Sequence, residues 1–217
     1  MNGKMFRVTL AAQARYLAPI LALSVVVAAL IPLLSVQGVE GQTHWWGGRV
    51  DLLLEQSRIF APIYPAVALC FGIFFAAANW LPDVWTRWVY VFTLPVARPR
   101  VAALRLAAGI VLMTPAILAL WIAGLVGVAV AALPPVIVAH PGALALRFGA
   151  ATLVSYALTS LLVLMGRRIW YLGLALVALV VAQGFGVHFG FTLTDLFVLH
   201  PLSPLHVFAG QWLFLDV

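Results

Sequence analysis

Histidine is the residue type in this sequence best suited to hold a metal ion or a haem, and the chain has five. A haem held by two imidazoles needs them at similar depth on facing helices. None of the five lies in the middle of an apolar run: His44 falls in a loop, and the rest fall at the edges of runs or near the end of the sequence (His140, His188, His200, His206). Four of them gathered on one face could bind a metal, but interfacial hydrogen bonding is the simpler interpretation. We predict no cofactor and no metal ligand.

The other residues show no pattern typical of a catalytic site. Asp195 and Arg147 are the only ionisable groups expected at appreciable depth in an apolar run. An ion inside a membrane is a functional candidate, but a mutual ion pair or snorkelling also accounts for both. The sequence has no convincing Ser/His/Asp arrangement, no glycine-rich nucleotide loop and no carboxylates paired for proton transfer. With Cys70 as the single cysteine, a disulfide within the chain is excluded. The sequence therefore predicts that this chain is not an enzyme.

The most informative stretch is 82–100, which is basic, aromatic and interrupted by prolines. Aromatic residues at 85, 88, 90 and 92 suit a membrane interface. Pro95 and Pro99 argue against a continuous helix there. Such a loop could dock a partner protein, or it could connect two membrane spans without one.

The composition determines what kind of scaffold must position these residues. The 217 residues are 65% hydrophobic and only 8% charged, with a mean hydropathy of +1.12, whereas a soluble domain carries about a quarter charged residues. Water cannot solvate such a surface, so most of it must face lipid. The net charge of +6 then indicates a bias of cytoplasmic loops rather than nucleic-acid binding.

Apolar runs predict an all-α polytopic membrane protein that forms one transmembrane domain over 1–217. A bilayer core of about 30 Å needs about 20 apolar residues as a helix. Five complete spans are predicted, at 17–36, 59–81, 106–133, 148–166 and 169–187. The remaining segment, 188–217, is apolar but broken by prolines, histidines and Asp195. We predict a re-entrant or interfacial element there, or a partial sixth crossing.

The distribution of basic residues predicts that the N-terminus is cytoplasmic. With that orientation the cytoplasmic segments hold nine of the Lys and Arg residues (4, 7, 15, 87, 98, 100, 105, 167, 168), and the external segments hold three (49, 58, 147). Positively charged loops favour the cytoplasmic side. The expected location is the inner, or cell, membrane.

Two further segments have expected places at the membrane surface. Lys4, Arg7 and Arg15 fall within about 80° of one another at 100° per residue, which predicts an interfacial amphipathic helix before the first span. A short basic tail that only sets topology is the alternative. The external loop 37–58 contains Trp45 and Trp46 beside glycines, which suggests an anchor at the outer surface.

One run resembles a known family. It reads Thr93-Leu94-Pro95-Val96-Ala97-Arg98-Pro99-Arg100-Val101 and is followed at once by a long Ala/Leu span. It resembles an "LPVSR"-like segment of the permeases of type-2 ABC exporters, which lies in a cytoplasmic loop near the contact with the ATPase. The chain departs from the family by having Ala97 where a serine is expected, and Ala76-Ala77-Ala78-Asn79 where an acidic residue is common.

The resemblance implies a permease subunit that forms a homodimer or heterodimer and pairs with a separate cytoplasmic ABC ATPase through the 82–105 loop. It implies partner-coupling roles for Arg87, Pro95, Arg98 and Arg100. Two other functions remain open: a structural or accessory subunit of a larger energy-transducing membrane complex, and a membrane redox subunit that handles haem or quinone.

Overall fold

A computed structural model describes residues 3–35, 46–85, 98–131, 137–164, 204–208, 212 and 214–216. Five α-helices account for nearly all of these residues: α1 Gly3–Leu34, α2 Trp46–Phe60, α3 Ile63–Trp85, α4 Arg98–Ala131 and α5 Pro141–Leu164. The other elements are the strand β1 Val138–Ala139, the 3₁₀ helix Pro204–Phe208 and the strand β2 Leu215–Asp216, which pairs antiparallel with β1.

Within the described residues, four stretches are long and apolar enough to cross a bilayer: Gly3–Leu34, Asp51–Trp80, Pro99–Val130 and Pro141–Leu164. The second of these includes the end of α2, a turn at 61–62 and most of α3. Their outward faces carry large exposed apolar side chains such as Leu23 on α1, Phe74 on α3 and Ile122 on α4. An apolar exterior of this kind suits lipid and not water. The chain is a membrane-embedded helical protein. Four of the predicted spans, 17–36, 59–81, 106–133 and 148–166, are confirmed as helical over their described residues, apart from turns at 35 and 61–62. The fifth, 169–187, lies outside the described residues.

The helices pack mainly as two pairs, α1 with α4 and α3 with α5. The pair α3–α5 is parallel, because Gly72 lies against Ser155 while Trp80, further along α3, bonds to Ser160, further along α5. Gln13 near the start of α1 bonds to Asn79 near the end of α3, so α1 and α3 are antiparallel. Arg105 near the start of α4 likewise lies over Trp80. Therefore α1 and α4 begin at the same end of the bundle, where α3 and α5 finish.

Three predicted boundaries differ from the structure. Residues 3–16 continue into the first span as one helix, so the expected separate interfacial helix is wrong for the described residues. The expected external loop 37–58 contains most of α2, which buries Leu53 and Ser57 one turn apart against the bundle. Asp51, Glu55 and Arg58 of α2 are exposed, and the low apolar content of this segment made the helix hard to recognise in the sequence.

The third difference concerns the expected cytoplasmic loop 82–105. Its first residues belong to the last turn of α3, and its last eight belong to α4. Pro99 lies in the first turn of α4, where a backbone N–H would have no hydrogen-bond partner within the helix, so the lack of an N–H in proline costs nothing there. It therefore starts the helix instead of interrupting it, and α4 carries Arg98, Arg100 and Arg105 into the span without a break.

Candidate functional site

Exposed basic side chains gather at the end of the bundle where α1 and α4 begin, which we call the basic end. Lys4, Arg7 and Arg15 of α1 are exposed, and so is Arg100 in the first turn of α4. Arg98 is the first residue of α4. Arg87 and Pro95, the other two predicted coupling residues, lie outside the described residues.

Charge is distributed unevenly between the two ends. Among the side chains that the structure describes, the basic end has no carboxylate; the backbone of Asp83 lies there, on the last turns of α3. At the opposite end α2 exposes Asp51 and Glu55. Basic residues at helix starts oppose the helix dipole, so the helices themselves give no reason for this placement. The orientation of the protein in the membrane, or binding of an anionic partner, would account for the basic residues at this end.

A chain of buried and partly buried side-chain hydrogen bonds lies beneath the basic end and joins three helices. The Nε2 of Gln13 on α1 donates to the Oδ1 of Asn79 on α3 over 2.5 Å. The Nδ2 of Asn79 donates in turn to the hydroxyl of Tyr156 on α5 over 2.9 Å. Asn79 and Tyr156 are both buried. Inside a membrane such polar groups have no water to pair with, so these bonds specify which helices are neighbours.

A second contact of the same kind extends this polar network to α4. The Nε1 of Trp80 donates to the Oγ of Ser160 over 3.1 Å, and the guanidinium of Arg105 lies 5.8 Å from the centre of a Trp80 ring. A cation over an indole face is attracted by the ring electrons. Because Arg105 follows Arg98 by seven positions, two helical turns separate the basic end from this contact.

The network depends on glycine at one position. A Cβ added to Gly109 of α4 would collide with the hydroxyl of Tyr156 and lie 2.6 Å from its Cζ. Only glycine leaves room for Tyr156 to pass α4 and reach Asn79. The hydrogen bond from Asn79 to Tyr156 and the close packing of α4 on α5 therefore both depend on Gly109.

The sequence argument missed this network. Asn79 and Trp80 lie at the end of the predicted span 59–81, and the structure buries both. Arg105 was counted only as a cytoplasmic charge, whereas it is half-buried. The available signal was the presence of Gln13, Asn79 and Tyr156 in otherwise apolar helices, since each must find a polar partner in lipid.

Of the two ionisable groups expected at depth, the structure describes one. The Nε of Arg147 on α5 donates to the backbone oxygen of Val207 over 3.1 Å, and its guanidinium lies 4.6 Å from the centre of a Trp212 ring. Asp195 lies outside the described residues, as do His44, His188 and His200. Within the described part of the chain, no group of three His, Cys, Asp or Glu side chains is placed to hold a metal ion.

Comparison of the chain with protein-family models, curated proteins and solved structures gives no match. What this protein does must therefore be inferred from its own residues.

Proposed function

We propose that this chain is the membrane-spanning permease subunit of an ATP-driven ABC-type exporter, and that the basic end is where a separate cytoplasmic ATPase docks. The resemblance of residues 93–101 to the family segment motivates the proposal. The sequence has no phosphate-binding loop of its own, so ATP hydrolysis belongs to the partner.

The observation that carries the proposal is the continuity of α4. This helix begins at Arg98, exposes Arg100 in its first turn, and reaches the polar network at Arg105 two turns later. A rigid helix transmits a push along its axis. A partner that displaces the start of α4 would therefore move Arg105 against Trp80 and disturb the bonds among α1, α3 and α5. Docking and helix rearrangement are thus linked by a short path of direct contacts.

The proposal includes an orientation. The basic end faces the cytoplasm of a cell whose inner membrane holds the protein, with Lys4 inside. The supporting observation is the uneven charge of the two ends, since exposed Lys and Arg favour the cytoplasmic side.

It also includes a fifth crossing at 169–187. Leu164 ends α5 at the basic end, whereas Val207 accepts a bond from Arg147 near the start of the same helix. The two described segments therefore lie at opposite ends of the bundle, and the apolar run between them is long enough to span. In this proposal two such subunits, identical or related, form the transport path.

Exchange of Arg98 and Arg100 for glutamate tests the docking role. An acidic helix start should repel the surface that binds a basic one, so we expect the double variant to lose its ATPase on purification in mild detergent while its membrane insertion is unchanged. The matched control is Arg58→Glu, which reverses an exposed arginine at the opposite end of the bundle and should keep the ATPase.

Retention of the ATPase by the Arg98→Glu/Arg100→Glu variant would contradict the docking role. Co-purification of the original chain with respiratory subunits in place of an ATPase would instead favour an accessory role in an energy-transducing complex.

A further inference from the structure

A short segment fills the end of the bundle opposite the basic end. We call residues 204–208, 212 and 214–216 the strap, and the end that they cover the strap end. Trp212, Phe214 and Leu215 are 3%, 0% and 1% exposed and belong to the same apolar core as the spanning helices. The ring of Phe214 packs on α4 so closely that a Cβ at Gly124 would lie 3.3 Å from it. These side chains are anchored in the bundle and do not merely lie on it.

Backbone bonds tie the strap to two separate elements. Val138 and Ala139, in the connection between α4 and α5, pair with Asp216 and Leu215, and the N–H of His140 donates to the oxygen of Phe214 over 3.1 Å. On the other side, the N–H of Leu215 donates to the Oγ of Ser57 on α2 over 3.4 Å.

Arg147 holds the other part of the strap to α5. It donates to Val207 and lies over Trp212, so one side chain joins the 3₁₀ helix and the buried indole. The indole N–H of Trp212 is buried without a hydrogen-bond partner among the described residues. An unpaired buried donor disfavours the seated position. Arg147, the strand pairing, the bond to Ser57 and the buried side chains of Phe214 and Leu215 oppose this cost.

We propose that the strap is a releasable closure of the strap end. It bonds to α2, to the α4–α5 connection and to α5, so these elements cannot separate while it is seated. Loss of the Arg147 contacts with Val207 and Trp212 weakens one of these holds and so makes release of the whole strap more frequent, and the strap end opens when the strap leaves. This inference does not depend on the proposed function; if the chain is a permease, the strap end is the end at which the transported molecule leaves.

Thiol labelling of the purified full-length chain in mild detergent tests the closure. In a Cys70→Ala background, Leu215→Cys reports release of the strap, and Val138→Cys, at a site 50% exposed, gives the rate for an open position at the same end. We expect a soluble maleimide to label position 215 far more slowly than position 138. Arg147→Ala should raise the rate at 215 about tenfold, the effect of losing one charge-assisted bond, and leave the rate at 138 unchanged.

Arg58→Ala is the matched control, because Arg58 is an exposed arginine on α2 near Ser57. It should leave the rate at 215 unchanged. Equal labelling at 215 and 138 in the background protein would overturn the proposal, as would an unchanged rate at 215 in Arg147→Ala.

A disulfide gives a second measurement that leaves Leu215 in place. Val138 and Asp216 are strand partners, and such partners lie about 5.5 Å apart when hydrogen-bonded, which a disulfide can bridge. The Val138→Cys/Asp216→Cys variant should form the linked peptide on mild oxidation, and Arg147→Ala should slow its formation. Failure of the link to form would show that the strap is not seated. Either result is independent of whether an ATPase binds at the basic end.

Discussion

Gly72 controls how closely α3 and α5 approach, and its replacement by alanine is the sharpest test of the packing. A Cβ at this position would lie 2.7 Å from the backbone oxygen of Thr152 and 2.6 Å from the Oγ of Ser155. Ordinary contact begins at about 3.4 Å, and the Cβ of Ser155 lies closer still than either oxygen, so the helices must separate by more than about 0.7 Å. Backbone cannot rotate aside as a side chain can. The bond from Ser155 to the oxygen of Leu69 on α3, 2.8 Å long, would be strained by the same movement.

The expected change in the free energy of unfolding is the sum of two costs and one gain. Overpacking of a tight contact costs about 1–3 kcal/mol, and loss of a hydrogen bond between helices in a membrane costs about 0.6 kcal/mol. Alanine is favoured over glycine within a helix by about 1 kcal/mol. The net expectation is a loss of about 1–2 kcal/mol in the free energy of unfolding.

Gly149→Ala is the matched control, because it makes the same chemical change inside α5. Its nearest neighbour would be the Cδ1 of Ile117 at 3.1 Å, the end of a side chain that can move. The control therefore keeps the gain from the helix preference of alanine over glycine, while most of the cost of overpacking is absent. The assay is SDS titration of each purified variant in mild detergent, followed by circular dichroism. If Gly72→Ala and Gly149→Ala unfold at the same SDS fraction, the close backbone approach of α3 and α5 is wrong.

Two further predictions concern the polar network and the orientation. Tyr156→Phe removes the hydroxyl that accepts a hydrogen bond from Asn79, so it should lower the free energy of unfolding by about 1 kcal/mol in the same SDS titration. The control, Tyr16→Phe, makes the same change at an exposed site and should alter the free energy of unfolding little. Equal effects of the two substitutions would exclude a structural role for the bond. In a Cys70→Ala background, Glu55→Cys should react with a membrane-impermeant maleimide on intact cells and Lys4→Cys should not. The reverse pattern would place the basic end outside, where no cytoplasmic ATPase could reach it.

Much of the helical scaffold was predictable from local composition. Residues 106–133 and 148–166 are apolar over a length that matches a bilayer, and both fall within helices that the structure describes, α4 and α5, apart from their last two residues. The transfer of a helix into lipid is a sum over its own residues, so a window of sequence contains nearly all the relevant information. The same is true of the uneven charge, which the sequence shows as a count of basic residues on alternate segments.

The helix α2 was not predictable in that way. Taken alone, its residues 46–60 are too short and too polar to span, and their helical form depends on burying Leu53 and Ser57 against other elements. A stretch with one narrow apolar face is stabilised by the surface that it covers, and that surface belongs to other parts of the chain.

Only the tertiary structure determined the polar network and the strap. Gln13 and Asn79 are 66 positions apart, Asn79 and Tyr156 are 77 apart, and Ser57 and Leu215 are 158 apart. Within a short stretch of sequence, each of these residues stands alone, without its partner. Their partners are decided by which helices become neighbours and in which direction each one runs, and this is a property of the whole bundle that no single segment contains.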